Sequence, residues 1–418
     1  MSDLSMDSLA TSKYTSPALV FTSLGHFIND GTVFFFPLLV DILVKTDSLS
    51  AVTVTILLGI FYAAASLFSV EVGRLASRWS NKGTLIGIGL LLMSLGLVGF
   101  YYSIMEAGSI VVIPAAAISA LSAGIGSSFY HPLGGSVLQM SYSAEKRGKA
   151  LGINGSMGSV GRALYPSLLY GFAALFTLDS SFLVFGIFAV VAAIAIWLGL
   201  MPMANHSKQD HRPASSNTSK RKSTLSASII ILAIVAFIRS TASQGIASWI
   251  PSYISNVQKV GISSLLGYSI TLMFVAAIIG QPIFGFLADR MDKRVLLSVS
   301  SFGTVLSTLG YIYTTGSISL AFLIVFGFFT FSGFPLLFAL ISEYVPRGDS
   351  SLANSVVWGL GNQGGMALGP VLVGLIIVDN YSRLPFSFEV MVIITIFAAL
   401  AVFLLPRPSG KAKMALFG

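Results

Sequence analysis

The chain has 418 residues, 55% hydrophobic and only 10% charged, with a mean hydropathy of +0.85 and a formal net charge of +8. Soluble domains carry about 25% charged residues, so a water-exposed globule is excluded. With no cysteine, disulfides, thiol chemistry and iron–sulfur ligation are excluded too.

Crossing a bilayer takes a helix of about 20 predominantly apolar residues. Such stretches lie near 17–44, 52–72, 84–105, 109–140, 150–176, 181–201, 226–256, 263–287, 295–315, 318–342, 351–378 and 386–405. They predict an all-α membrane protein of twelve transmembrane helices. Residues 1–16 are polar and read as a tail, not a cleavable leader. The stretches at 109–140 and 226–256 exceed one bilayer thickness and predict tilted or extended helices. Between spans six and seven, residues 202–226 are rich in Ser, Lys, Asn and Arg and read as a flexible linker. It divides a six-helix half, 17–201, from a second, 227–405, with 406–418 as the C-terminal tail. His206 and His211 belong to the linker, where solvation rather than metal ligation is expected.

The first span carries His26 and Asp30, one helical turn apart and on the same side. Histidine changes charge near neutral pH, so the pair suits proton exchange; alternatively Asp30 is only a counter-ion. Span two ends at Glu71, where a local salt bridge to Arg74 or Arg78 is expected. Span four contains Tyr130, His131 and Pro132; His131 either extends a proton path or bonds a backbone carbonyl. Span five is punctuated by Gly152, Gly155, Gly158 and Gly161 and carries Arg162, while span seven carries Arg239.

A mid-span arginine costs about 2.5–3.5 kcal/mol on insertion scales, so it faces a cavity or a partner. Both arginines lie about 13 residues into their helices and reach similar depth at 1.5 Å per residue, one from each half. A guanidinium fork suits carboxylate, phosphate or phosphonate. The expectation is a two-sided clamp for an anionic substrate, the alternative a permanent ion pair with Asp30. Gln244, Tyr130 and Asn362 are expected to line the cavity beside it. Glu343, ending span ten, is expected to pair with Arg347.

Nineteen of the 24 lysines and arginines fall in the tails and the loops on the N-terminal side, and three (Lys45, Lys259, Arg383) on the other. The positive-inside rule then places both termini in the cytoplasm, and the basic balance needs no nucleic acid.

The halves repeat. Gly73-Arg-Leu-Ala-Ser-Arg-Trp-Ser-Asn-Lys82, after span two, returns as Gly285-Phe-Leu-Ala-Asp-Arg-Met-Asp-Lys-Arg294 after span eight. Asp30-Gly31 with Pro37 corresponds to Gln244-Gly245 with Pro251, and Arg147-Gly148 to Arg347-Gly348. Such repeats place a binding site between the halves, near the midplane.

The duplicated loop and the 6+6 layout resemble the major facilitator superfamily over essentially the whole chain. Within it, His26-Phe-Ile-Asn29-Asp30 followed by Pro37-Leu-Leu, and Phe129-Tyr-His131-Pro132, resemble the fosmidomycin-resistance-like exporters. The resemblance implies alternating access of a central cavity, with the loops acting as latches on the cytoplasmic side. It assigns gating to Gly285, Asp289, Arg290 and Arg294 in the second copy, and to Gly73 and Arg78 in the first. Asp289 and Arg290 would hold the start of span eleven near Ser350; Ser77 replaces the acid in the first copy.

No Walker A sequence, His-Glu-x-x-His or Gly-x-Ser-x-Gly occurs, so neither an ATP-driven pump nor a membrane enzyme is expected, and no cofactor or metal. The expected function is proton-coupled secondary transport of a small organic anion or amphiphilic drug-like compound across the plasma membrane, by a monomer. Export is favoured; the alternatives are an importer of a carboxylate or organic phosphate, and an uncoupled uniporter.

Overall fold

A computed structural model describes residues 15–34, 51–79, 81–106, 108–201, 226–259, 264–345, 350–378 and 380–407. Among these every regular element is helical. The chemistry requires it: in hydrocarbon each backbone N–H and C=O must be satisfied within its own segment, and helices do so. The helices are α1 (15–34), α2 (Ala51–Arg78), α3 (Lys82–Met105), α4 (Val112–Ser141), α5 (Ala144–Leu175), α6 (Leu178–Leu200), α7 (Ala227–Val257), α8 (Ser264–Ala288), α9 (Lys293–Tyr313), α10 (Gly316–Tyr344), α11 (Ser350–Ile377) and α12 (Tyr381–Leu404).

Ten of these helices are long and apolar enough to cross a membrane, among the described residues. The other two are α1, described only over 15–34, and α5, which carries Lys146, Arg147, Lys149 and Arg162. The two long stretches become the 30-residue α4 and the 31-residue α7. The linker, most of the terminal tails, Pro37, Lys45, His206, His211 and Arg347 lie outside the described residues.

Each half has its own packing. In the first, α3 lies against α4 and α6, and α2 against α4. In the second, α10 lies against α8 and α9, α7 against α11, and α12 against α7 and α9. The halves meet along two seams, α5 on α8 and α2 on α11. These seams exchange under the repeat, which equates α2 with α8 and α5 with α11. The repeat shows in detail at α3 and α9, whose first turns are capped alike. Asn81 accepts from the Thr84 amide at 3.1 Å, and Asp292 from the Arg294 amide at 2.9 Å.

Among the described residues the π-helical turns lie in the second half. In α11 the segment Ser355–Gln363 is a π-helix, and α7 ends in another, Tyr253–Val257. The longer one presents Trp358 to the interior, stacked at 5.0 Å on Phe338 and lying 4.2 Å from His131 of the opposite half. Wide helical turns of this kind concentrate at functional sites.

Candidate transport site

Near the middle of the bundle the helices enclose a cavity of about 510 Å³ of empty space, counting its open mouth. Its polar lining comprises Asp30 (α1), Tyr62 (α2), His131 (α4), Arg162 (α5), Gln244 (α7) and Gln363 (α11), with Phe331, Phe334 and Trp358 among its aromatic wall.

Asp30 is the hub. Its Oδ2 lies 2.9 Å from Arg162 Nη1 and 3.2 Å from His26 Nε2. Its Oδ1 lies 3.1 Å from His131 Nε2 and accepts from Asn29 Nδ2 at 2.9 Å. A carboxylate has about four acceptor positions, and all four are engaged. The cluster forms because α5 approaches α1 closely: a Cβ at Gly158 would collide with the His26 ring and Asp30, and one at Gly161 with the Phe27 carbonyl. The glycine stripe of α5 is what lets Arg162 reach Asp30.

The other half supplies the wall against which Arg162 rests. Its guanidinium lies 4.9 Å from the Phe331 ring centre, 5.6 Å from Phe334 and 5.7 Å from Phe274. Cations over desolvated aromatic faces gain about 2 kcal/mol or more. Arg162 Nη2 also donates to Ser159 Oγ at 3.0 Å, and Gln281 of α8 donates to the same oxygen at 2.6 Å. One arginine therefore links the acid of the first half to the aromatic wall of the second.

Arg239 is placed differently. It is 2% exposed and does not line the cavity. Its Nη2 donates to the Thr330 carbonyl at 2.5 Å and to Ser300 Oγ at 3.1 Å, both within the second half. Its Nε and Nη1 find no hydrogen-bond partner among the described residues. Phe334 separates the two arginines, its ring centre 5.8 Å from the Arg239 guanidinium.

At the end of the bundle that carries the basic loops, the halves are tied together. Asp289, just past α8, accepts from the backbone amides of Gly148 at 2.9 Å and Lys149 at 3.1 Å, in the second turn of α5. A carboxylate near the N-terminal end of a helix also meets the positive end of the helix dipole. Burial pushes the Asp289 carboxyl above its ordinary range, although these amides and Lys293 oppose the shift. Gly285 makes the approach possible, since a Cβ on it would press on the Gly148 carbonyl. On the other seam Gly73 abuts Ser351 and Ser355 of α11, Ser69 donates to the Ser355 carbonyl at 3.0 Å, and Ser136 meets Ser350 at 2.9 Å.

This corrects the expected latch: Asp289 holds the start of α5, not of α11. The twofold relation puts α8 on α5, and it is Gly73, in the acid-free copy, that faces α11. Among the described residues Arg290 forms no ion pair, lying exposed over the Phe286 ring at 3.8 Å. Arg294 is bound within its own half, to Asp292 and to the Leu405 carbonyl at 2.8 Å. Arg78 is exposed. Glu71 pairs with Arg74, whereas Glu343 pairs with Lys293.

The arrangement of two six-helix units about a polar central cavity, closed at one end by a duplicated loop, has a match among known families. The model of the Major Facilitator Superfamily matches residues 22–357 and 260–415. The chain belongs to the major facilitator superfamily. It is a multi-pass membrane transporter and not an enzyme.

This major facilitator transporter is 27% identical over 372 residues to the uncharacterized MFS-type transporter YfnC of Bacillus subtilis, covering 85% of this chain and 86% of that one. It is 31% identical over 164 residues to the multidrug resistance protein MdtG of a Rahnella strain, covering 37% and 38%. Its fold is similar to that of the proton:xylose symporter XylE, with a TM-score of 0.69, 17% identity and coverage of 95% and 97%.

Of the residues expected in the site, Asp30, His26, His131 and Arg162 come together around one carboxylate, and Gln244 reaches the cavity wall. Its Nε2 lies 3.0 Å from Ser248 Oγ and 3.5 Å from Tyr62 Oη across the seam. Tyr130 and Asn362 do not line the cavity. Tyr130 stands behind His26, bonded to the Thr22 carbonyl and to Asn154, and Asn362 Nδ2 rests on the Met366 sulfur at 3.4 Å. The aromatic wall of Phe274, Phe331 and Phe334 was not anticipated. In a chain with 31 phenylalanines, three at the site carry no distinguishing pattern.

Removing the latch carboxylate should loosen this end. Asp289→Ala forfeits two charge-assisted backbone bonds, each worth about 1.5–3 kcal/mol before the relief from burial is subtracted. A shift of roughly 5- to 30-fold toward conformers separated at this end is expected. Spin labels on cysteines introduced at the ends of α5 and α8 read it directly, because the chain has no native cysteine. An unchanged distance distribution would remove Asp289 from gating.

Proposed function

We propose that this protein is a proton-coupled transporter of a small organic anion, in which Asp30 and Arg162 form the coupling element. The observation that carries the reading is the Asp30 carboxylate, shared by Arg162 and two imidazoles on the wall of the central cavity. When the cluster carries no added proton, Asp30 neutralises the Arg162 guanidinium. Protonation of the Asp30–histidine cluster weakens that hold and leaves a cation facing the cavity, where an anion can replace the carboxylate. The positive-inside rule supports an orientation in a plasma membrane with the basic loops and both termini on the cytoplasmic side. The tied end is then the cytoplasmic end, and the cavity opens outward.

The sign of the coupling follows. Protons add positive charge to the cluster, so proton and anion favour one another and move in the same direction. Anion affinity should tighten as pH falls, by at most about tenfold per pH unit for one linked proton. Purified protein in proteoliposomes, screened with carboxylates, organic phosphates and phosphonates under an imposed proton gradient, tests this. Accumulation of an anion together with internal acidification supports the reading; anion flux indifferent to the gradient refutes it.

A second reading is export in exchange for protons. The similarity to MdtG, named a multidrug resistance protein, favours it. It requires a cationic or neutral amphiphile that competes with the proton at Asp30, and the same assay separates the two by the direction of proton movement.

A further inference from the structure

Hydrogen-bond direction around His26 determines where a proton must sit. Thr22 Oγ1 spends its one hydrogen on the Ala18 carbonyl, 2.6 Å away, and Tyr130 Oη spends its own on the Thr22 carbonyl at 2.5 Å. Both oxygens can therefore only accept from Asn154, whose amide nitrogen lies 3.3 Å and 3.1 Å from them. That orientation turns the Asn154 amide oxygen toward His26 Nδ1 at 3.0 Å. An amide oxygen cannot donate, so His26 Nδ1 bears hydrogen. The opposite ring nitrogen, Nε2, faces Asp30 Oδ2 at 3.2 Å. If the imidazole were neutral and the carboxylate ionised, two lone pairs would oppose each other in a buried site, where water cannot screen them. A single proton between Nε2 and Oδ2, on either atom, resolves the conflict.

We infer that His26 and Asp30 share one proton in this conformation, and that Asn154, oriented by Thr22 and Tyr130, is the positioning residue that sets the histidine tautomer. The inference rests on the proposed proton coupling and names the carrier within it. Ligating histidines are oriented in the same way, by a partner on the far ring nitrogen. His26, Asp30 and His131 also bring their ligand-type atoms within 4.8 Å of one another. A proton nevertheless suits the site better than a divalent ion. Arg162 Nη1 is already 2.9 Å from the same carboxylate oxygen, and a dication would repel it far more strongly than one added proton.

The groups facing the shared proton are Asp30 and Asn29 on α1, Tyr130 and His131 on α4, and Asn154 and Arg162 on α5, with Tyr62 and Trp358 completing the neighbouring cavity wall. Among the described residues Asp30 is the only carboxylate in the cavity lining. Asp30, Arg162 and the shared proton sum to one positive charge, and protonation of His131 would add to it. The proton-loaded site is thus short of one negative charge, which an anionic substrate supplies. An anionic substrate class follows from that charge balance, with proton and anion each favouring the other.

Two measurements on the full-length protein test the inference. Nitrogen-15 histidine NMR, on protein whose linker histidines are replaced (His206→Gln, His211→Gln) and with His131→Gln for assignment, reports the His26 protonation state. Infrared spectra compared with Asp30→Asn report whether Asp30 is ionised. Expected is a hydrogen on Nδ1, with either an imidazolium or a protonated Asp30. A hydrogen on Nε2 with a bare Nδ1, or a neutral His26 beside an ionised Asp30, overturns the proposal. In reconstituted protein Asn154→Leu, which cannot accept, should move half-activation of transport about one pH unit lower, whereas Asn154→Asp, a stronger acceptor, should move it higher. Equal loss of flux in both variants without opposed shifts reduces Asn154 to a structural part. If NMR finds the shared proton but transport ignores the proton gradient, the inference stands and the coupling reading falls.

Discussion

Asp30→Asn is expected to abolish proton-driven accumulation, bringing the inside-to-outside ratio under an imposed gradient to about one, while exchange down a concentration gradient persists. The asparagine keeps the shape of the side chain and loses the charge. Asn29 still has an acceptor, but Arg162 is left as a buried cation among three aromatic rings. Breaking a buried pair in this way typically costs about 3–5 kcal/mol, because the surviving charge is uncompensated. The variant should therefore melt at a lower temperature, and adding Arg162→Met should restore much of the loss. That rescue distinguishes a charge effect from a packing effect. It also sets the coupled transporter against an uncoupled uniporter, in which Asp30→Asn leaves the pH dependence of flux untouched. Retention of concentrative, pH-dependent uptake by Asp30→Asn would eliminate Asp30 as the coupling group.

The scaffold was legible because its signals are repeated and physically compulsory. A chain that must bury its backbone polar groups in lipid writes long apolar runs, and a duplicated fold writes its basic loop twice. The polar members of the site were legible for the related reason that Asp30, His26 and Arg162 are expensive inside a span and stand out there. Their partners were less accessible. Which helix of one half meets which helix of the other is a tertiary fact, so Asp289 was expected at α11 and lies at α5. Glu343 was expected to use Arg347 and reaches Lys293 across a neighbouring helix end. Tyr130 read as a wall residue; its hydrogen bonds to Thr22 and Asn154, and that of Asn154 to His26, required knowing the rotation of α1, α4 and α5 about their axes.

The duplication also shows where symmetry has been given up. The α8 copy of the loop supplies Asp289 to the start of α5, while at the α2–α11 seam Ser69, Ser136, Ser350, Ser351 and Ser355 make neutral contacts. Ser136 belongs to α4, so these hydroxyls join both α2 and α4 to α11; one seam is charge-assisted and the other depends on small hydroxyls, so the two should separate with different ease. In the centre, Asp30 corresponds to Gln244, which bonds Ser248 and holds no cation. Titratable chemistry is concentrated in the first half, and the second contributes the aromatic wall and the wide turn bearing Trp358.

The two buried arginines should respond in opposite ways, although their apolar stretches suggested equal depth; α5 begins earlier than its apolar stretch, so Arg162 is the nineteenth residue of its helix and Arg239 the thirteenth of α7. Arg162→Met is expected to weaken anion binding by roughly 10- to 100-fold, the equivalent of one charge-assisted interaction in a desolvated site. Arg239→Met should leave affinity within about threefold. The reason lies in rotation. Arg162 turns toward α1 and the cavity, whereas Arg239 turns toward α9 and α10 and bonds Ser300 and the Thr330 carbonyl. Two of the Arg239 nitrogens are unpartnered, so the buried charge is poorly compensated and methionine of similar length should cost little stability or even add some. Equilibrium binding of a transported anion to each purified variant, with melting temperatures measured in parallel, separates the roles. Equal loss of affinity in both would restore a two-sided clamp, with Phe334 moving aside so that one substrate reaches both guanidinium groups. Loss in Arg239→Met alone would transfer the anion site to the second half and leave Arg162 as the counter-ion of Asp30.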